Sequence, residues 1–471
     1  MSVVPPAPGR SRVVLAVVAT AAFFLSIDLT FVNVALPDIG AHFGASAADL
    51  AWVVDAYTVA LTSLLIPGAA IAERFGRKAV FLCGMGLFTA ASVAGGLATS
   101  LTPLLVARGI MGVGAGMMLA PAMAITAMAF SPAQRPRAMA AWASAGALGL
   151  ALGPVLGGLV VGTLGWRWAF LLPVPILMAG LAAGIAVLPR GRGPEGVPLD
   201  VWGALLALVA LAPLVAGLIE APGLGWSSPW TIGLIALGSG LMTVFVIREL
   251  RLAAPAFDVR VLGRLVVAGA SLVLFAAYIA FMGVLFLVTI ELQQVAGLGP
   301  VAYGMVLAPM SVSYWLMSRL GARIAGAGRT SVALGWGLTA TVAAFAIPAL
   351  APNSVAWTLP ALILMGVGNG LLVPVAAAMV LNALPDRALG TSSALSVVAR
   401  FAGGAVGLAV IASAVASAPT LDAGLTWGYR AGAGAVLALA AAAGLLLSRS
   451  GAMGEGRALR GDDTGVQAGR V

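Results

Sequence analysis

Fourteen apolar runs dominate this 471-residue chain, each close to the roughly 20 residues that a helix needs to cross a bilayer. They fall at residues 13–36, 50–72, 79–99, 104–129, 138–161 and 169–188, then at 201–219, 230–247, 265–289, 301–317, 330–350, 356–381, 391–416 and 426–447. Gly, Pro and charged residues bound them. With 61% hydrophobic residues, 9% charged and a mean hydropathy of +1.07, the chain carries more apolar side chain than a soluble fold can bury. The pattern predicts an all-α membrane protein of 14 transmembrane helices.

Charge supports that count. If the N-terminus lies inside the cell, 21 of the 25 basic residues fall on the cytoplasmic side, among them Arg10, Arg12, Arg74, Arg77, Lys78, Arg135, Arg248, Arg264 and Arg323. A missed or invented span would scramble this alternation. Arg167 and Arg430 fall at the outer face, and Arg108 and Arg400 lie within runs. The net charge of +9 is therefore a topology signal whose partner is anionic lipid rather than nucleic acid, and both termini are expected to be cytoplasmic. The first run is too long for a signal-peptide core and lacks an A-x-A exit, so it is expected to be retained. Cys83 and His42 are the only cysteine and histidine, which leaves no internal disulfide, no Cys- or His-rich metal site and no requirement for a cofactor. An integral-membrane enzyme would need convergent groups that this composition lacks.

The chain repeats itself. Met111, Gly112, Val113 and Gly114 recur as Met365, Gly366, Val367 and Gly368, and the same offset carries Gly149 and Gly153 onto Gly403 and Gly407. Internal repeats of this kind build transporters. The expected organisation is a cytoplasmic tail at 1–12, a six-helix bundle at 13–189, a linker and inserted transmembrane hairpin at 190–250, a second six-helix bundle at 251–448, and a disordered cytoplasmic tail at 449–471. Two duplicated bundles with a carboxylate buried in the first of them suit alternating access better than a passive channel.

A charge at the bilayer centre costs roughly 2.5–3.5 kcal/mol on insertion scales, so each one needs a partner or a task. Asp28 lies roughly 12 Å below the outer end of the first run at 1.5 Å per residue. Arg108 is about as deep in the fourth run, and Asp55 lies in the second. Asp28 and Arg108 suit either a proton-loading pair or a fixed ion pair that locks helices together. Asp55 is a candidate second anionic contact, or faces an outer vestibule with Tyr57. Arg400 sits nearer mid-membrane in the half without a deep carboxylate, where it binds a substrate anion, donates to backbone carbonyls or snorkels. Phe24, Phe31, Met117 and Asn33 are candidates for an adaptable cavity wall. Glu220 and Glu291 are expected to be solvated at the outer rim, and His42 to be an ordinary loop residue.

Several segments resemble the major facilitator superfamily, specifically its fourteen-span drug:proton antiporter branch of EmrB/QacA type. IDLTFVNVALP at residues 27–37 matches the branch's first-helix motif, whose acid, here Asp28, is associated with proton coupling. AAIAERFGRK at 69–78 resembles the superfamily's cytoplasmic gate motif, which implies a latch role for Glu73, Arg74, Gly76, Arg77 and Lys78. Ala69 stands where Gly is usual and Glu73 where Asp is usual. RGIMGVGAG at 108–116 is similar to the motif whose Arg is linked to proton transfer, with Met111 in place of Gln. Residues 149–158 reproduce G-x-x-x-G-P-x-x-G-G through Gly149, Gly153, Pro154, Gly157 and Gly158, and WRWAF at 166–170 is similar to the branch.

The resemblance implies the fold named for that superfamily, with two pseudo-symmetric six-helix bundles. It also implies a monomeric multidrug efflux transporter in a bacterial inner membrane, exchanging protons for lipophilic small molecules. The acids suit lipophilic cations as cargo, while Arg400 suits neutral or weakly acidic compounds equally well. An exporter of one endogenous metabolite, natural-product antibiotic or lipid is the alternative.

Overall fold

The computed structural model describes residues 8–45, 47–131, 134–189, 200–252, 258–350, 355–384 and 389–450. Residues 190–199 of the expected linker and 451–471 of the expected tail lie outside them. Among the described residues every regular element is helical. Twelve helices are long and apolar enough to span a membrane by length and composition, and a bent pair makes a thirteenth when counted as one span.

The first group of helices comprises α1 (Pro8–Phe43), α2 (Ala47–Ser63), α3 (Leu65–Phe75), α4 (Arg77–Gly96), α5 (Leu101–Ala129), α6 (Arg135–Leu164), the single turn α7 (Trp168–Leu171) and α8 (Pro173–Val187). A pair follows, α9 (Val201–Leu224) and α10 (Pro229–Arg251). The second group is α11 (Leu265–Thr289), α12 (Pro300–Gly326), α13 (Thr330–Leu350), α14 (Val355–Asn382), α15 (Leu389–Ala416) and α16 (Leu421–Arg449). The apolar run at 50–72 is broken between α2 and α3 with a bend of 53°. Pro67 is the cause: it has no N–H for the Ser63 carbonyl, and its ring crowds that carbonyl. Where α3 meets α4, Gly76 holds φ +100°, a conformation that side chains with a Cβ rarely adopt.

The repeat seen in the sequence is a repeat of contacts. Gly112 of α5 lies against the Tyr57 carbonyl of α2, and Gly366 of α14 lies against the Met310 carbonyl of α12. Gly114 packs on Gly84 and Phe88 of α4, and Gly368 on Gly337 and Thr341 of α13. Gly149 of α6 meets the Phe23 carbonyl of α1, while Gly403 of α15 meets the Phe275 carbonyl of α11. Inside a bilayer there is little hydrophobic drive between helices, so close backbone approach through missing side chains supplies the packing. The two groups touch chiefly through α6 on α12 and through α15 on α3 and α5.

Two expectations change here. α1 continues through Pro37 to Phe43, because Ile39 and Phe43 extend its apolar face over Trp166; a proline removes only one helical bond. His42 therefore sits in the last turn of α1 rather than in a loop. Its ring stacks at 4.8 Å from Phe43 and 5.8 Å from Trp166, and Arg167 Nη2 lies 3.3 Å from its Nε2. Glu291, expected at a solvated rim, is 4% exposed. A π-helical turn at Ile290–Val295 follows α11, and its wider winding turns Glu291 inward, where Tyr429 Oη donates to its Oε2 at 3.1 Å.

Candidate functional site

Arg108 and Asp28 meet across the α1–α5 contact. The seven-residue steps Arg108, Ala115, Ala122 and Ala129 keep one side of α5 buried, and Arg108 is the large polar member of that side. Its Nη1 donates to Asp28 Oδ2 at 2.7 Å, and its Nε donates to the Val53 carbonyl of α2 at 2.7 Å. The guanidinium lies 4.5 Å from the Tyr57 ring centroid. Arg108 is 0% exposed and Asp28 3%. Three helices are thereby joined at one charge, and removing either partner strands the other without water.

The glycine stripe of α6 lies along α1. Gly146 faces Ser26, Gly149 the Phe23 carbonyl, Gly153 the Thr30 side chain and Gly157 Val34. Ile27 and Thr30, on either side of Asp28, therefore touch α6 while Asp28 itself turns to α5. Gly158 is half-buried. α6 stays one helix through Pro154, whose side chain lies outside the described residues. At the α3–α4 turn, Arg77 Nη1 approaches Met128 Sδ of α5 at 3.3 Å and Lys78 Nζ donates to the Ile185 carbonyl of α8 at 2.5 Å. Glu73 is half-buried and Arg74 exposed. Ala69, where the gate motif usually has Gly, is buried in an apolar cluster that also holds Ala120, Val373 and Leu395.

Between the two groups of helices lies a cavity of about 100 Å³. Its wall draws on α1, α2, α5 and α6 from one group and on α11, α12, α14 and α15 from the other: Ser26, Trp142, Tyr278, Phe281, Tyr314, Asn369 and Arg400 give it its character. Arg400 is the one charged residue in that wall.

The whole arrangement matches one family. Residues 18–408 fit the Major Facilitator Superfamily. The chain belongs to that superfamily. Family and fold point to a transporter rather than an enzyme. It is 30% identical to the multidrug resistance protein Stp of Mycobacterium tuberculosis, over 84% of this chain and 74% of that protein. It is 30% identical to the tetracenomycin C resistance and export protein of Streptomyces glaucescens, over 87% and 77%, and 34% identical to the cephamycin export protein CmcT of Amycolatopsis lactamdurans, over 86% and 85%. In fold it is similar to the human organic anion transporter MFSD10, with a TM-score of 0.66 at 19% identity, covering 92% of this chain and 99% of that one.

Within this superfamily fold, Arg400 is the one of the cavity candidates legible in the sequence that lines the central cavity. Tyr57 belongs instead to the ion pair, its Oη directed to the Leu25 carbonyl at 3.5 Å. Phe24 lines a shallow groove with Phe23 and Ile176. Phe31 is buried beside Gly157, and Met117 packs its Cβ toward Gly84. Asn33 is exposed and donates to the Leu29 carbonyl at 2.6 Å, and Asp55 is half-buried on α2. Trp142, Tyr278, Phe281, Tyr314 and Asn369 carry no motif that marks them. One signal was available: all five tyrosines of the chain fall inside apolar runs, where a hydroxyl needs a partner, and four of them sit at a charged group or the cavity, namely Tyr57, Tyr278, Tyr314 and Tyr429.

Proposed function

We propose that this chain is a proton-coupled multidrug efflux transporter that exports lipophilic small molecules by alternating access across a bacterial cell membrane. The observation that carries the reading is the buried Asp28–Arg108 pair at 2.7 Å, placed on the same helix that the Gly149–Gly157 stripe grips. Facing outward, Asp28 takes a proton. That cancels its charge, frees Arg108 to bond elsewhere, and biases a packing with two arrangements. The smooth α1–α6 contact lets the two helix groups rock, and the proton leaves inside as cargo enters the cavity. Across 100 mV each charge moved supplies about 2.3 kcal/mol. The turn from Glu73 to Lys78 serves as the cytoplasmic latch.

The same proposal holds the chain to be a monomer of fourteen spans, with six-helix bundles at 13–189 and 251–448 and α9–α10 inserted between them. α9 packs on α2, α3 and α15, which supports a hairpin seated on both bundles. Orientation with both termini cytoplasmic is supported by basic side chains that cap helix C-termini. Arg10 donates to the Val187 carbonyl, Arg135 to Ala127, Arg260 to Leu250 and Arg264 to Ala383. Cations at those ends also satisfy the helix dipoles. A dedicated exporter of one natural product is the second reading, favoured by the tetracenomycin and cephamycin export proteins among the relatives.

The test is Asp28→Asn in proteoliposomes with an imposed pH gradient. Loss of gradient-driven efflux from folded, inserted protein is expected; full transport would remove Asp28 from its role.

A further inference from the structure

Arg400 is 8% exposed, yet among the described residues no carboxylate forms an ion pair with it. Its Nη1 reaches only the Tyr278 hydroxyl, at 3.4 Å, and its buried Nε has no hydrogen-bond partner. The guanidinium is flanked by the Tyr278 ring at 5.2 Å and the Trp142 ring at 5.9 Å. Ring faces attract a cation but accept no fork of N–H donors. Among the described residues the cavity that Arg400 lines contains no acid, and Asp28 is held by Arg108. A buried cation with unused donors is expensive to keep in a membrane and marks a ligand of opposite charge.

We infer that, given the export function proposed above, the cargo of the central cavity is an amphipathic aromatic anion. Its carboxylate, sulfonate or ionised phenol pairs with the Arg400 guanidinium in the planar, two-point manner that suits arginine. Its ring system lies among Trp142, Tyr278 and Phe281, and Asn369 and Tyr314 supply neutral polar contacts. A lipophilic cation entering the same space meets the Arg400 charge with no acid in the wall to offset it. The energetics of transport change as well. One proton entering for one monovalent anion leaving moves two positive charges inward, so membrane potential alone drives export. One proton exchanged for a monovalent cation moves none.

The test uses the full chain in proteoliposomes and three fluorescent probes. These are the anion 1-anilinonaphthalene-8-sulfonate, its uncharged parent N-phenylnaphthylamine, and the cation ethidium. Each is measured under a pH gradient and, separately, under a potassium–valinomycin potential at equal pH. The wild type is expected to move the sulfonate in preference to ethidium, and to do so under potential alone. Arg400→Gln is expected to lower the ratio of sulfonate to uncharged-parent flux by about tenfold, the scale of one hydrogen bond to a charged group. Arg400→Lys, which keeps the charge and loses the fork, is expected to give an intermediate ratio. An unchanged ratio in both variants, preference for ethidium, or sulfonate flux indifferent to potential would each overturn the inference. Absence of flux for every probe under both gradients would instead remove the efflux reading, and this inference with it.

Discussion

Among the described residues two arginines are buried in the apolar body of this molecule, and their surroundings differ. Arg108 meets a carboxylate, a backbone carbonyl and an aromatic face on three helices. Arg400 meets two aromatic faces and one distant hydroxyl. A cation whose counter-charge is built in is released only when that counter-charge is neutralised, which is the step the proposed mechanism assigns to protonation of Asp28. A cation without one keeps its donors for something that arrives. The halves of the duplicated chain thus share a packing scheme but differ in buried charge: among the described residues the first half holds a paired arginine and the second an arginine with no carboxylate partner.

The largest effect expected from breaking this comparison is on stability. Asp28→Ala leaves the Arg108 charge alone in the interior and should cost about 3–5 kcal/mol, the usual penalty for removing one member of a buried pair. Replacing both partners by apolar residues, Asp28→Leu with Arg108→Met, should recover most of that loss while leaving transport uncoupled. Thermal melting in detergent measures both. If the double variant melts no higher than the single one, the pair is not the stabilising unit described here.

The positions where the two halves agree give the next effect. Gly149 and Gly403 each face a backbone carbonyl of the neighbouring helix, so neither has room for a methyl group. Gly149→Ala and Gly403→Ala should each cost about 1–3 kcal/mol from overpacking. Gly404 has only the Met282 side chain within reach, 3.1 Å from an added Cβ, and Gly404→Ala should be milder. A melting order in which Gly404→Ala is the worst of the three would contradict the repeated contact.

Much of this was legible in the sequence, and the gaps have physical causes. Charge inside an apolar run is costly, so Asp28, Arg108 and Arg400 stood out before any coordinates. The Gly stripe was visible through its four-residue step, but its partner helix α1 was not, because the stripe says only that some helix comes close. The aromatic wall was not legible: Trp142 and Phe281 look like lipid-facing residues until the rotation of each helix is known. Glu291 was misplaced because a single π turn shifts which side of a helix faces inward, and no residue type announces that turn. The span boundaries at α1 failed for a simpler reason. Pro37 reads as a stop, yet apolar contacts of Ile39 and Phe43 outweigh one lost hydrogen bond.

Arg400 sharpens the contrast in sign. Because its charge is uncompensated, Arg400→Met should raise stability by about 1–2 kcal/mol, the lower part of the range for replacing buried ionic groups with apolar ones. The equivalent change at Arg108, made alone, should lower it by stranding Asp28. A stabilised but poorly transporting Arg400→Met protein is the expected trade between stability and function. A fall in melting temperature on both substitutions would mean that Arg400 is as structural as Arg108.

The smallest effect belongs to a third arginine, which is paired like Arg108 but wet. Arg248 forms a two-point bond with Asp200, Nη1 to Oδ2 at 2.5 Å and Nη2 to Oδ1 at 2.6 Å, at the end of the α9–α10 pair where Arg248 is 29% exposed. Burial pushes the Asp200 carboxyl up, but the Arg248 hydrogen bonds and the Gly203 N–H outweigh it and hold the group below the usual carboxylate range. A carboxylate depressed in the folded state stabilises fully above its unfolded pKa of about 3.9 and loses that contribution as pH falls through the folded value. Asp200→Asn should therefore cost about 0.2–1 kcal/mol at pH 7, as partly exposed pairs do. The difference from wild type should shrink in melts taken progressively below about pH 4, as falling pH passes through the depressed folded pKa and Asp200 becomes neutral like Asn. A gap that stays constant with acidity would show that the charge does not carry the contribution of Asp200.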